Sequence, residues 1–192
     1  MRRRTWGIAV AAVVVLAAAG TTTALLAFGD DNSDYKTLPT CQKISAALPG
    51  KPALTVGQNV TDAEDIRGLH PAYTNIQCKN DDDDVAVELH QASNMDLYTM
   101  HAYPDKTVHD GKQRATEIFT HVTRGFDELK PGVRFGTFTY TNTTCTVVTL
   151  KRNATVQVSV PNPPTHSLDQ WKAACRQIAE TQVPKVVDAA LG

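Results

Sequence analysis

From Trp6 to Phe28 the chain runs for 23 residues without a charge, and this run limits what the rest can be. As a helix it would extend about 34 Å, enough for the hydrocarbon core of a bilayer. Its only hydroxyl residues are Thr21, Thr22 and Thr23, and a threonine in a helix satisfies itself by bonding a carbonyl one turn back. Arg2, Arg3 and Arg4 precede the run, and Asp30, Asp31 and Asp34 follow it. Arginine on one side holds that side in the cytoplasm and sends the remainder across. Residues 1–29 are therefore expected to be a transmembrane signal-anchor, residues 30–37 a flexible linker, and residues 38–192 an extracytoplasmic domain. The alternative is secretion after signal cleavage, at the small-residue pattern Ala17-Ala18-Ala19. That cut would leave the apolar remnant Thr23 to Phe28 in water. Export follows in both cases.

Export changes how the four cysteines read. Cys41, Cys78, Cys145 and Cys175 all lie beyond the apolar run. An even count in an oxidising compartment implies disulfides. None forms a Cys-x-x-Cys pair, which argues against zinc knuckles and thioredoxin-like redox chemistry. Three connectivities are possible; the favoured one joins sequence neighbours, Cys41 to Cys78 and Cys145 to Cys175. Three of the 19 basic residues sit at the N-terminus, whereas all 20 acidic residues follow residue 29, leaving the exported part at a net charge of −4. A mildly acidic domain lacks the basic face that nucleic-acid binding requires.

The polar part reads as alternating helices and strands. Thr40 caps a short helix with Cys41, Ile44, Ala47 and Leu48 on one face, stopped by Pro49-Gly50. Residues 51–71 carry Gly57, Gly68 and Pro71 and read mostly as loop. Strands are expected over Ala72 to Lys79 and Val85 to Ala92, the second alternating Val85, Val87 and Leu89 with Ala86, Glu88 and His90. Asn80 to Asp84 is the exposed turn between them. Residues 93–109 read as irregular, with Leu97 to Tyr103 a possible extension of the sheet. A helix is expected from Gly111 to Lys130 on the stripe Ala115, Ile118, Phe119, Val122, Phe126 and Leu129, with Asp110 and Gln113 as a capping box. Strands follow over Phe135 to Tyr140, Cys145 to Lys151 and Thr155 to Val160, the last two around the tight turn Arg152-Asn153. Ser167 and Gln170 cap a final helix that buries Leu168, Trp171, Ala174, Cys175 and Ile178; Pro184 kinks or restarts it. The expected order, α-β-β-α-β-β-β-α, is a two-layer α+β sandwich: an antiparallel sheet with helices on one face.

The opening Cys41, Ile44, Leu48, Pro49 and Gly50, the strand cysteine Cys78, the long amphipathic helix, the apolar hairpin and a closing helix around Ala173 to Ala179 together resemble a family. It is the set of small exported actinobacterial domains known only as a domain of unknown function, many of them lipoproteins. The chain is similar, too, to the related extracytoplasmic sensor domain of mycobacterial membrane serine/threonine kinases. The resemblance spans most of residues 38–190 and implies export, an α+β fold and a Cys41–Cys78 bridge. It implies no catalytic residue. Two positions depart from the pattern: Asn80 stands where many members have tryptophan, and there is no lipobox cysteine.

No residue pattern points to catalysis. Asp81 to Asp84 is the densest charge run, but four consecutive aspartates diverge, whereas calcium loops space their ligands among glycine and turn residues. The run reads as a solvated turn. The histidines are His70, His90, His101, His109, His121 and His166, and no two share a helix face at metal-binding spacing. There is no Gly-x-Ser-x-Gly elbow. Asn59, Asn142 and Asn153 open Asn-x-Thr sequons, which matter only in a eukaryotic secretory route. Tyr98, Tyr103, Phe135, Phe138 and Tyr140 are candidates for a groove lining, with core packing the simpler role for the phenylalanines. No catalytic, cofactor or metal residues are assigned; the only site residues are the disulfide cysteines. The expected function is a non-enzymatic domain at the cell envelope that binds an unknown ligand or protein in a sensor-like manner, with the membrane as its other contact. Two other classes compete: a metal-dependent hydrolase using His101, His109 and nearby aspartates, and a structural interaction module.

Overall fold

The computed structural model describes residues 34–48, 50–60, 73–94, 107–137, 144–162 and 167–192. The chain divides into two compact units, Met1–Ser33 and Asp34–Gly192; the first, with the expected anchor, lies outside the described residues. No helix among those described is long and apolar enough to cross a membrane.

Alternating valines and threonines build the sheet. Its strands are β1 (Thr55–Val60), β2 (Tyr73–Lys79), β3 (Asp84–His90), β4 (Asp127–Lys130), β5 (Val133–Gly136), β6 (Thr144–Lys151) and β7 (Ala154–Pro161). They lie in the order β1-β2-β3-β7-β6-β5-β4, and every neighbouring pair is antiparallel. Two meanders, β1 to β3 and β4 to β7, thus join where β3 pairs with β7. The helices are α1 (Cys41–Ser45), α2 (Gly111–Val122), α3 (Leu168–Thr181) and α4 (Val183–Leu191).

Successive side chains of a strand leave on opposite faces, so the register sorts every residue. One face carries Ile76 and Cys78, Val85, Val87 and Leu89, Val156, Val158 and Val160, Cys145 and Val147, and Phe135. All of these join one buried apolar cluster with Ile44, Trp171, Cys175, Ile178, Val183 and Val186 from α1, α3 and α4. Fully burying one such side chain contributes about 1.5–3 kcal/mol. Two covalent links lie in this layer. Cys41–Cys78 ties α1 to β2, and Cys145–Cys175 ties β6 to α3, each with Cα atoms 5.3 Å apart. Loops of this length make each link worth about 3–4 kcal/mol in the chain-entropy account. Such bonds persist in an oxidising, extracytoplasmic compartment.

The helix α2 packs elsewhere. It touches β3, β6 and β7, and its Phe119 lies under the Arg134 guanidinium, 5.2 Å from the ring centre. Arg134 pairs with Val148 across β5 and β6, on the face turned away from Phe135 and Val147. Val148, Ala115 and Phe119 are buried outside the main cluster. Helices therefore cover both faces, which corrects the expected arrangement on one. The burial of β6 shows it directly: five residues in a row, Cys145 to Thr149, are inaccessible, where a one-sided strand would alternate.

Other expectations are corrected too. The expected loop of residues 51–71 contains β1, an edge strand whose register slips at Gly57; its exposed Val56 gives no two-residue burial pattern to read. The expected long helix stops at Val122. Thr123 Oγ1 donates back to the Phe119 carbonyl and accepts from Arg134 Nη1, and Gly125 turns the chain at φ 85°, a conformation open to glycine. Leu129, expected on the same stripe as Phe119, belongs to β4 and packs against the opposite core. Leu168, expected to be buried, is 54% exposed. The strand expected over Phe135 to Tyr140 is Val133–Gly136 in its described part. The possible extension at Leu97 to Tyr103 lies outside the described residues. The observed element order is α-β-β-β-α-β-β-β-β-α-α.

Candidate functional site

The face beneath α2 is where polar chemistry is buried. Cross-strand register aligns it in rows: Tyr73 beside His90; Asn75, Glu88 and Thr155; then Gln77, Ala86 and Gln157. α2 starts at the His90 end of these rows. Its N-cap, Asp110, accepts from Gln113 N at 2.7 Å, and Gln113 Oε1 accepts from Asp110 N at 2.9 Å, a reciprocal box. Gly111 comes next for want of space: a Cβ there would collide with the His90 carbonyl and press on Asn153. The helix then places Arg114, fully buried, over the sheet.

Asn153 fixes the same corner. Its Nδ2 donates to the carbonyls of His90 and Tyr35, both at 3.0 Å, and its Oδ1 accepts from Tyr35 N at 2.8 Å. Arg152, at φ 57°, lays its guanidinium over the Tyr35 ring at 5.0 Å. The described end of the expected flexible linker is therefore held by a side chain 118 residues away. Asn153 is 3% exposed, so its sequon is a structural asparagine.

Three polar atoms form a loose triangle within the cluster. His90 Nε2 is 3.4 Å from Thr155 Oγ1, Thr155 Oγ1 is 3.5 Å from Glu88 Oε2, and Glu88 Oε2 is 3.6 Å from His90 Nε2. Each separation exceeds the ordinary length of such a bond, about 2.7–3.0 Å. His90 is 1% exposed; burial, helped by the Arg114 charge, lowers its pKa to about 4. Its imidazole is neutral at ordinary pH, and its contact with Glu88 is dipolar. Burial also raises the pKa of Glu88, and the bond from Thr155 pulls it partway back, although 32% of that side chain remains exposed. His90 Nδ1 and Asn75 Oδ1 are buried without a hydrogen-bond partner, a costly state for polar atoms. Of this cluster, Glu88 is the member partly open to solvent, whereas His90 and Thr155 are closed off.

The alternation in β3 put Glu88 and His90 on the side away from its valines, and gave no sign of the full burial of His90 or the partial burial of Glu88. The signal that would have changed this reading was a helix returning over that side.

The residues singled out from sequence disperse. Asp81 and Asp82 are exposed, but Asp83, expected in a solvated turn, is 1% exposed and meets Lys51 Nζ at 3.3 Å. Asn80 Oδ1 accepts from the Asp82 and Asp83 amides, folding the turn inward, and Asp84 accepts from Gln77 Nε2 at 2.7 Å. His109 Nδ1 meets Glu117 Oε1 at 2.6 Å, and His121 is exposed on α2. His70, His101 and His166 lie outside the described residues, as do Asn142, Tyr98, Tyr103, Phe138 and Tyr140. Phe135 belongs to the core. Among the described residues no group of three or more His, Cys, Asp or Glu side chains converges as metal ligands would. No protein-family model, no curated protein and no solved structure matches the chain.

Proposed function

We propose that this is a membrane-anchored extracytoplasmic domain that binds a ligand or partner at the cell envelope without transforming it, in the manner of the sensor-like exported domains it resembles. The uncharged run from Trp6 to Phe28 serves as the anchor. The observation that carries the reading is the contrast in hydrogen bonding beneath α2. A cross-linked core stiffens one side of the sheet, while the other side holds His90 Nδ1 and Asn75 Oδ1 buried and partnerless. A ligand admitted by a shift of α2 would satisfy such atoms, and the partly exposed Glu88 is the group of the cluster that meets it first. The thermal unfolding of the purified full-length chain, screened against diverse small molecules and peptides, should rise for at least one compound class. General esterase, phosphatase, glycosidase and peptidase substrates should not be turned over. Sustained turnover abolished by Glu88→Gln would overturn the proposal.

A further inference from the structure

Asn153, in the buried turn between β6 and β7, is leaned on from both faces of the sheet. From the cross-linked face comes the strap that precedes α1. Its Tyr35 and Leu38 pack against the main apolar cluster, Pro39 is buried, and the strap ends where Thr40 caps α1. Both backbone groups of Tyr35 go to the Asn153 carboxamide: the N–H donates to Oδ1 at 2.8 Å, and the carbonyl accepts from Nδ2 at 3.0 Å.

From the other face come β3 and α2. The same Nδ2 donates to the His90 carbonyl at 3.0 Å, and the Asn153 carbonyl accepts from His90 N at 2.8 Å. Gly111, the first residue of α2, lies against this pair. A Cβ there would collide with the His90 carbonyl and stand 3.1 Å from Asn153 Cβ.

A carboxamide has two N–H groups and one oxygen, and here all are committed at once, to the strap and to β3. Turning the side chain to favour one partner gives up the others. If the strap leaves, Oδ1 and one N–H are orphaned in a buried place, a costly state that drives the carboxamide to reorient. The surface against which Gly111 fits is then no longer fixed. α2 has little else to hold it there, since both disulfides lie on the opposite face.

We infer that Asn153 is a latch coupling the Tyr35 strap on one face to the seating of α2 on the other, so that releasing either loosens its counterpart. In the reading above, α2 is the layer that shifts to admit a ligand, and the latch carries such a shift to the segment ahead of α1. The coupling itself needs no ligand, so it stands or falls separately from that reading.

The test follows amide hydrogen exchange, residue by residue, in the full chain held in detergent. Tyr35→Pro removes the N–H that Asn153 Oδ1 accepts and leaves α2 untouched. Exchange in α2 should accelerate about fivefold or more, with exchange in α3 unchanged. Gly111→Ala, made from the other side, should accelerate exchange at Tyr35 in turn. Val187→Ala truncates a buried side chain of α4 and controls for a general loss of stability; it should not speed α2 relative to α3. Tyr35→Ala keeps the backbone donor and strips the ring from under Arg152, and it takes the place of Tyr35→Pro should that variant fold poorly. Unchanged α2 exchange in the strap variant would overturn the latch. So would an acceleration that α3 shares or that Val187→Ala reproduces. An effect running from strap to helix but not from helix to strap would overturn it too, because equilibrium coupling is reciprocal.

Discussion

The two faces of the sheet solve opposite problems with the same seven strands. One is mostly apolar, covered by α1, α3 and α4, and joined to α1 and α3 by the two disulfides. The other is covered, among the described residues, by α2, whose Arg114 is buried over a buried histidine and threonine of the sheet. No disulfide holds α2; its capping box, the Gly111 approach and the Arg134 contacts do. Apolar burial is non-directional and forgiving, so the first face needs only volume and pattern. Buried polar groups stabilise only when paired in the right geometry, so the second face is where small changes register.

The largest expected effect is on the stapled face. Replacing Cys145 and Cys175 together by alanine should cost about 3–4 kcal/mol, measured as a lower denaturant midpoint. An unchanged midpoint would mean that the helical layer does not depend on its link to β6.

Acid should act on the other face. The folded pKa of His90 is about 4 against an ordinary 6.5, so the unfolded chain takes up the proton first. Stability is then full above about pH 6.5 and falls as the pH drops toward 4, by about 3 kcal/mol across that window. Glu88 acts in the opposite sense: its raised pKa makes its contribution present at low pH and lost as pH rises. His90→Gln should flatten the acid limb of the melting-temperature profile between pH 7 and 4. A wild-type profile already flat there would show that the imidazole is not held neutral.

Asn153→Ala should cost about 2 kcal/mol, because three hydrogen bonds vanish and the buried His90 carbonyl and the part-buried backbone of Tyr35 lose partners. Hydrogen exchange at Tyr35 should speed up in the same variant. If exchange there is unaltered, the strap is held by something other than Asn153. The smallest effect is expected at Leu168, which the sequence stripe places in the core. Leu168→Ser should change stability by less than about 0.5 kcal/mol, since the side chain is already exposed; a large loss would return it to the stapled face.

Legibility followed burial. The hairpin of β2 and β3, the turn at Arg152-Asn153, the Asp110 cap and the restart at Pro184 were readable because their signals are local. Alternation, capping side chains and a proline at a helix start each act within a few residues. The end of α2 was not readable, because Phe126 and Leu129 continue its helical phase while packing in different surroundings. The edge strand β1 offers too little burial to mark its residues. The cluster under α2 was hidden for a related reason: Glu88 and His90 alternate with valines as solvent-facing residues do, and nothing within β3 reports what lies over it.

Sequence alone determined the even cysteine count that suits an oxidising compartment, the mixed helix and antiparallel strand content, and most of the apolar residues of one face. These depend on composition and short-range periodicity, which a chain carries whatever its fold. Tertiary structure decided which face α2 covers, and with it the burial and protonation of His90 and Glu88. Those properties depend on residues brought together from β2, β3, β7 and α2, and desolvation exists only after the layers have closed.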